Sequence, residues 1–288
     1  MPASSAAEGF TMTDKSVSGA VDRATDSSAF ERLARAGHVV SGLLHLLIAY
    51  IIFRLAFGSG GSADQSGALG TLANNSGGKF VLWLAAVAFV AMALWRLAET
   101  IVGPHATEPG DGSDSEGKKD ASALFDRLKA LSLAVVYFAF AFSAVQFARG
   151  SGQSSGKQNS GLSARLMENG AGKTLLVIIG LIIIAVGAYH VYKGVTKNFL
   201  DDLKVSDGKV VTPLGVVGYT AKGLVLAGAG ILVIVASVKS DPSKATGIDG
   251  AIKTLGDAPF GQFLLVLAAI GIAAYGVYSF AMARYSRM

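Results

Sequence analysis

Three stretches of this chain align with one another without a gap, and that recurrence limits what it can fold into more than any single motif does. Gly67, Gly161 and Gly250 each open a segment in which a second glycine follows eleven positions later, at Gly78, Gly172 and Gly261. An apolar helix comes next in all three. Each copy is preceded by another charge-poor apolar run and a Gly/Ser-rich link, so the repeating unit reads as helix, link, helix.

The apolar residues are gathered rather than spread. Only 16% of the residues are charged, against about 25% in ordinary soluble domains. Ala130 to Ala148, Thr174 to Tyr192 and Phe263 to Ala283 carry no charge at all, and each matches the length a helix needs to cross a hydrocarbon core of ~30 Å. Leu43 to Phe53, Phe80 to Trp95 and Gly223 to Val238 reach spanning length if flanking Arg and Lys side chains snorkel to the interface. The expected fold is therefore an all-α integral membrane protein with six transmembrane helices, arranged as three tandem helical hairpins. Two spans per copy return the chain to the same side, so the copies are parallel and related by an axis along the membrane normal. A pseudo-threefold ring is the natural closure, with a splayed arrangement as the alternative.

Residues 1–29 form a polar tail without an apolar stretch, so a cleavable leader is not expected and disorder is. The remaining boundaries are a first hairpin over 30–103, a flexible linker over 104–123, a second hairpin over 124–199, a short link over 200–212 and a third hairpin over 213–288. Of the 25 Lys and Arg, fourteen lie outside the spans on the side of the N-terminus and nine on the other, with Arg96 and Lys222 inside spans. Positive residues concentrate on the cytoplasmic side, so both termini are expected there. These basic residues flank helices without interleaved aromatics, which argues for membrane anchoring and against nucleic acid as a partner. Cys is absent, which removes disulfides, thiolate metal sites and cysteine nucleophiles.

The candidate polar positions are few. Arg35, His38, Ser41, Gly42 and His45 fall on one face of the first helix, at steps of three and four. Such a stripe faces protein or water, and either a relay lining a cavity or polar contacts between helices would account for it. In the second helices Trp95-Arg96 with Glu99, Tyr189-His190 with Lys193, and Tyr278-Ser279 with Met282 occupy matching places. A belt of rings at headgroup depth explains the recurring aromatic; a site to which the copies contribute different groups is the alternative. Gly223, Ala227 and Gly230 share a face, and Gly271, Ala274 and Tyr275 lie together in the last span, as close helix contacts require. In the links, apolar pairs four apart (Ala68/Leu72, Leu162/Leu166, Ala251/Leu255) predict a short interfacial helix before each break. Gly172-Lys173-Thr174 mimics a phosphate loop but has Met167 where that motif needs Gly.

Gly37-His38 with Gly42, Gly218-Tyr219 with Lys222-Gly223, the Pro259-Phe260-Gly261 turn, and Tyr275-Gly276 with Tyr278 together resemble the bacterial membrane family called domain of unknown function 1206. The resemblance covers Phe30 to Tyr285. The second copy departs from it with Ser132 and Tyr137 in place of glycines, so its first helix is expected to pack less closely. The resemblance implies six helices in three pairs and a membrane location, and it carries no reaction or functional residue. The chain holds no nucleophile with a base and an orienting acid, no carboxylate pair in a span and no cofactor or metal fingerprint. The expectation is a non-enzymatic membrane protein that binds or organises lipids or partner membrane proteins, itself included as a homo-oligomer. The alternative is a conduit or carrier for a small solute or ion along the repeat axis.

Overall fold

A computed structural model describes residues 28–102, 119–204 and 208–285. The expectations for the N-terminal tail and for most of the 104–123 linker lie outside the described residues. Among the described residues the regular elements are all helical: α1 (Ser28–Ala56), α2 (Gln65–Ala73), α3 (Gly78–Val102), α4 (Lys119–Ala148), α5 (Ser155–Leu166), α6 (Gly170–Val195), α7 (Val211–Lys239), α8 (Ile248–Gly256) and α9 (Gly261–Tyr285). Each copy thus holds two long helices with a short one in its link. Five of the long helices are long and apolar enough to cross a membrane, over Gly37–Ala56, Ala130–Ala148, Gly170–Val195, Val211–Lys239 and Gly261–Tyr285. The described apolar run in α3, Gly78–Leu94, is shorter. Leu181 and Ile182 on α6, Leu224 and Ile231 on α7, and Phe263 and Ile270 on α9 are exposed, the outward face that a lipid surrounding tolerates and water does not.

The chain divides into two compact units, residues 37–82 with 146–287 and residues 83–145 with the N-terminal residues. In the smaller unit, α3 and α4 pair through alanines and aromatic rings. Ala86, Ala93, Ala134 and Ala141 are buried, and Phe89 stacks on Tyr137 with centroids 6.4 Å apart while meeting Phe140 at 5.6 Å. The second copy's Tyr137, where its siblings have glycine, fills the contact with a ring.

The larger unit is built on glycine contacts between copies. A Cβ on Gly187 of α6 would lie 2.6 Å from the carbonyl oxygen of Gly223 on α7, and one on Gly230 of α7 would lie 2.7 Å from that of Gly180. The two helices run antiparallel with backbones touching, so their attraction is dispersion over a long seam. On α1, a Cβ at Gly42 would sit 2.9 Å from Gly276 O of α9. Gly42 and Gly223 are equivalent in the repeat, as are Gly276 and Gly187, so the same contact joins the third copy to the second and the first copy to the third. Below it Ile52 packs with Leu265, Ala269 and Ile272. Within the third copy, α7 and α9 meet where a Cβ on Gly218 would come 2.6 Å from Tyr275 Cα, and where Gly271 abuts Ala221.

The recurring second glycine has one cause in all three links. Side chains at Gly78, Gly172 and Gly261 would run into the carbonyls of Leu72, Leu166 and Gly256 respectively, so the chain can fold back from the short helix into the long one only without a Cβ there. Phe260, just before Gly261, holds φ at +63° and is exposed, a conformation that costs an L-residue ~1–2 kcal/mol.

All three links meet at one end of this unit. Asp249 Oδ1 accepts the Ala63 N–H at 2.8 Å, joining the third link to the first, and its Oδ2 accepts Lys253 Nζ at 2.7 Å. Asp64 caps α2 by accepting the Gly67 N–H at 3.0 Å and the Ser66 hydroxyl, and Ser66 Oγ in turn accepts the Ser155 N–H of the second link at 2.9 Å. Both carboxylates are almost fully buried. Removing the Asp249 acceptor strands the buried Ala63 N–H, which costs the desolvation of that group. At the nearby end of α7, Asp241 accepts the Ser243 N–H, and this contact with the Ser243 hydroxyl holds its carboxyl below the usual range.

Candidate functional site

At the opposite end of the larger unit, polar groups enter the apolar bundle in a column. The segment after α6 starts it. Lys197 turns the chain with φ at +62°, and Asn198–Leu200 forms one 3-10 turn that drives Phe199 into the bundle, where it is fully buried. Gly215 of α7 makes room for that ring. The Lys204 N–H to Tyr285 O bond, 2.7 Å, and the Lys193–Asp202 ion pair, 2.6 Å, tie the same segment down. Residues 199–204 are therefore docked as a plug into the end of the bundle.

Beneath the plug lies an aromatic core. Tyr219 stacks on Phe199 with centroids 5.5 Å apart, and meets Tyr275 at 5.3 Å and Tyr278 at 5.5 Å. The Tyr278 hydroxyl donates to Phe199 O at 3.3 Å. Rings crossing edge to face gain more than their buried area alone provides. Cations face these rings: Lys193 Nζ lies 5.7 Å from the Tyr219 centroid and Lys222 Nζ 4.1 Å from that of Tyr275.

Two imidazoles complete the group. His190 of α6 lies 5.9 Å from Tyr219 and His45 of α1 4.7 Å from Tyr275. Each ring places Nδ1 on a carbonyl one turn back in its own helix, His45 on Ser41 O at 2.7 Å and His190 on Val186 O at 2.8 Å. A carbonyl only accepts, so Nδ1 carries the proton in both and Nε2 is the edge left for other partners. Lys222 lies within electrostatic range of both imidazoles. The ammonium of Lys222 rests on the π face of Tyr275, a contact worth about 0.5–2 kcal/mol.

The sequence-derived positions distribute unevenly. His45, Ser41, His190 and Lys193 come together in this column. His38, two turns from His45, is half-buried and stays apart from it. Arg96 lies in the other unit, where its carbonyl accepts the Thr100 hydroxyl at 2.8 Å; the side chain of Glu99 lies outside the described residues. Gly42, Gly223, Gly230 and Gly271 all make helix contacts. Tyr189 is exposed as a belt residue should be, whereas its counterpart Tyr278 is completely buried. A kept ring type does not report depth. Lys222 is the position undervalued by the sequence, although a solitary Lys in an otherwise uncharged run was the available signal. Asp64 and Asp249 left no signal, because they occupy different places in the repeat. Among the described residues no three His, Asp or Glu converge as metal ligands.

Cations and imidazoles face rings in this arrangement, and among the described residues the nearby carboxylate of Asp202 is engaged by Lys193. The family model for Domain of Unknown Function (DUF1206) matches residues 36–103, 128–197 and 217–286. A Bacillus subtilis (strain 168) protein named "Uncharacterized protein YxxB" is 25% identical over 264 residues, covering 90% of this chain and 92% of its own. No solved structure matches. The three matched regions coincide with the three helical copies and span most of the chain, which therefore belongs to the DUF1206 family.

Proposed function

We propose that this protein is a six-span, non-catalytic component of the bacterial cytoplasmic membrane, with both termini in the cytoplasm, that binds and organises lipids or partner membrane proteins. The sixth span is α3, continued beyond Leu94 by snorkelling side chains. The observation that carries this reading is the use of the polar stripe on α1. His45 lies against Tyr275 and Ser41 O, and Gly42 is closed against Gly276, so this face is consumed in helix packing rather than lining a water-filled path. Intramembrane polar groups in such positions act as contacts and recognition points.

A conduit is the second reading, favoured by the run of Lys193, His190, Lys222 and His45 from the plugged end inward. The two readings differ in flux. Liposomes containing the purified full chain are expected to pass protons and small anions no faster than protein-free liposomes, while native lipid stays with the protein through purification. Specific flux that His45→Ala or His190→Ala abolishes at unchanged protein level would replace binding with transport.

A further inference from the structure

We infer that Lys222, flanked by His45 and His190, anchors a binding site for one anionic oxygen group, a carboxylate or a phosphate. The inference rests on the binding reading above and names the chemistry of its ligand. It starts from a charge imbalance. Lys222 stands eleven residues into α7, about 16 Å along the helix at 1.5 Å per residue, far from either end. Among the described residues its ammonium meets a ring face and no hydrogen-bond acceptor, although it carries three N–H donors. The titratable groups around it are cationic or neutral: His45 from α1, and His190 and Lys193 from α6. The nearby acid, Asp202, lies 2.6 Å from Lys193 and is taken up by it. Tyr219 and Tyr275 contribute ring faces.

The missing partner is thus an anion supplied from outside the described residues. Lys222, His45 and His190 are each half-buried, so the cluster is reachable and not sealed in the core. Both imidazoles are held by Nδ1, which fixes the ring planes; Nε2 is then a lone-pair acceptor that meets an oxyanion only through a shared proton, carried by the ring as imidazolium or by the ligand as an acid hydroxyl. The same oxyanion chemistry is carried by a free ion and by the head of an acidic amphiphile, and the probes below separate the two.

The test uses the purified full chain in a neutral detergent, with thermal unfolding followed at fixed ionic strength against chloride controls. Three probes are compared: sodium phosphate, oleate, and nanodiscs of phosphatidylcholine with or without phosphatidylglycerol. At least one is expected to raise the unfolding temperature of the parent chain. Lys222→Met should weaken that response at least tenfold in apparent affinity, and Lys222→Arg should keep it. A response to phosphate identifies a free oxyanion; one confined to oleate or phosphatidylglycerol identifies an amphiphile. If Lys222→Met does not fold, Lys222→Gln against Lys222→Arg makes the same comparison. A parent chain that responds to none of the three, or a Lys222→Met or Lys222→Gln chain that responds as the parent does, overturns the site. That result leaves the broader binding reading intact, since only the flux experiment decides it.

Discussion

Asp249 shows how much one side chain does at the end of the molecule where the links meet. Its two oxygens take the Ala63 N–H of the first link and Lys253 of its own short helix, so a single carboxylate joins the first and third copies outside the long helices. Asp249→Ala leaves the Ala63 N–H buried without an acceptor, a loss of about 1–3 kcal/mol. Asp249→Asn, which retains an acceptor oxygen, is expected to lose less. Thermal unfolding in detergent ranks the two, and equal midpoints for Asp249→Ala and the parent would remove the clamp from the account. Asp64 is the companion case. Its Oδ1 is doubly bonded while its Oδ2 is buried without a partner among the described residues.

At the scale of elements, a glycine matters through what stands opposite it. Gly37 and Gly218 occupy the same place in the repeat, yet a Cβ on Gly37 would meet nothing within 4 Å and one on Gly218 would lie 2.6 Å from Tyr275. Sequence pattern identified both as motif glycines and could not separate them, because the difference lies in the neighbouring helix. The pairing of α6 with α7 was more legible. Gly223, Ala227 and Gly230 share a face in the sequence, and their partners Gly180 and Gly187 repeat at the same seven-residue spacing. Gly187→Leu should force α6 from α7, at a cost of roughly 1–3 kcal/mol or more for an overpacked contact. Gly37→Ala should be neutral or slightly stabilising, because Ala is the better helix former by up to ~1 kcal/mol. Unfolding of both variants in one detergent checks the pair; equal effects would mean the seam is not where the structure places it. The site was less legible than the helices. His45, His190 and Lys193 stood out as polar residues in apolar runs. Their convergence on Tyr219, Tyr275 and Lys222 depends on helices from three copies, and no local spacing encodes it.

For the whole molecule, the arithmetic of the repeat has a structural counterpart. The first helix of one copy packs on the second helix of the copy before it: α7 on α6 and, returning from the third copy to the first, α1 on α9. The recurrence of the Gly contact, Gly223 with Gly187 and Gly42 with Gly276, is what duplication of one interface produces. Copy number and the link glycines could be read directly from sequence. The return of the third copy to the first could not, since a splayed row satisfies the same pattern. A cross-link tests that return most directly, and the absence of cysteine in the natural chain makes it clean. Cysteines replace His45 and Tyr275, whose rings lie 4.7 Å apart, and a protease site is inserted within residues 104–118. Membranes are treated with a short thiol cross-linker and then with the protease. The two fragments are predicted to remain joined on a denaturing gel until the cross-linker is cleaved. Fragments that separate, while a control pair placed across α3 and α4 at Phe89 and Phe140 keeps them joined, would contradict closure of the first copy on the third.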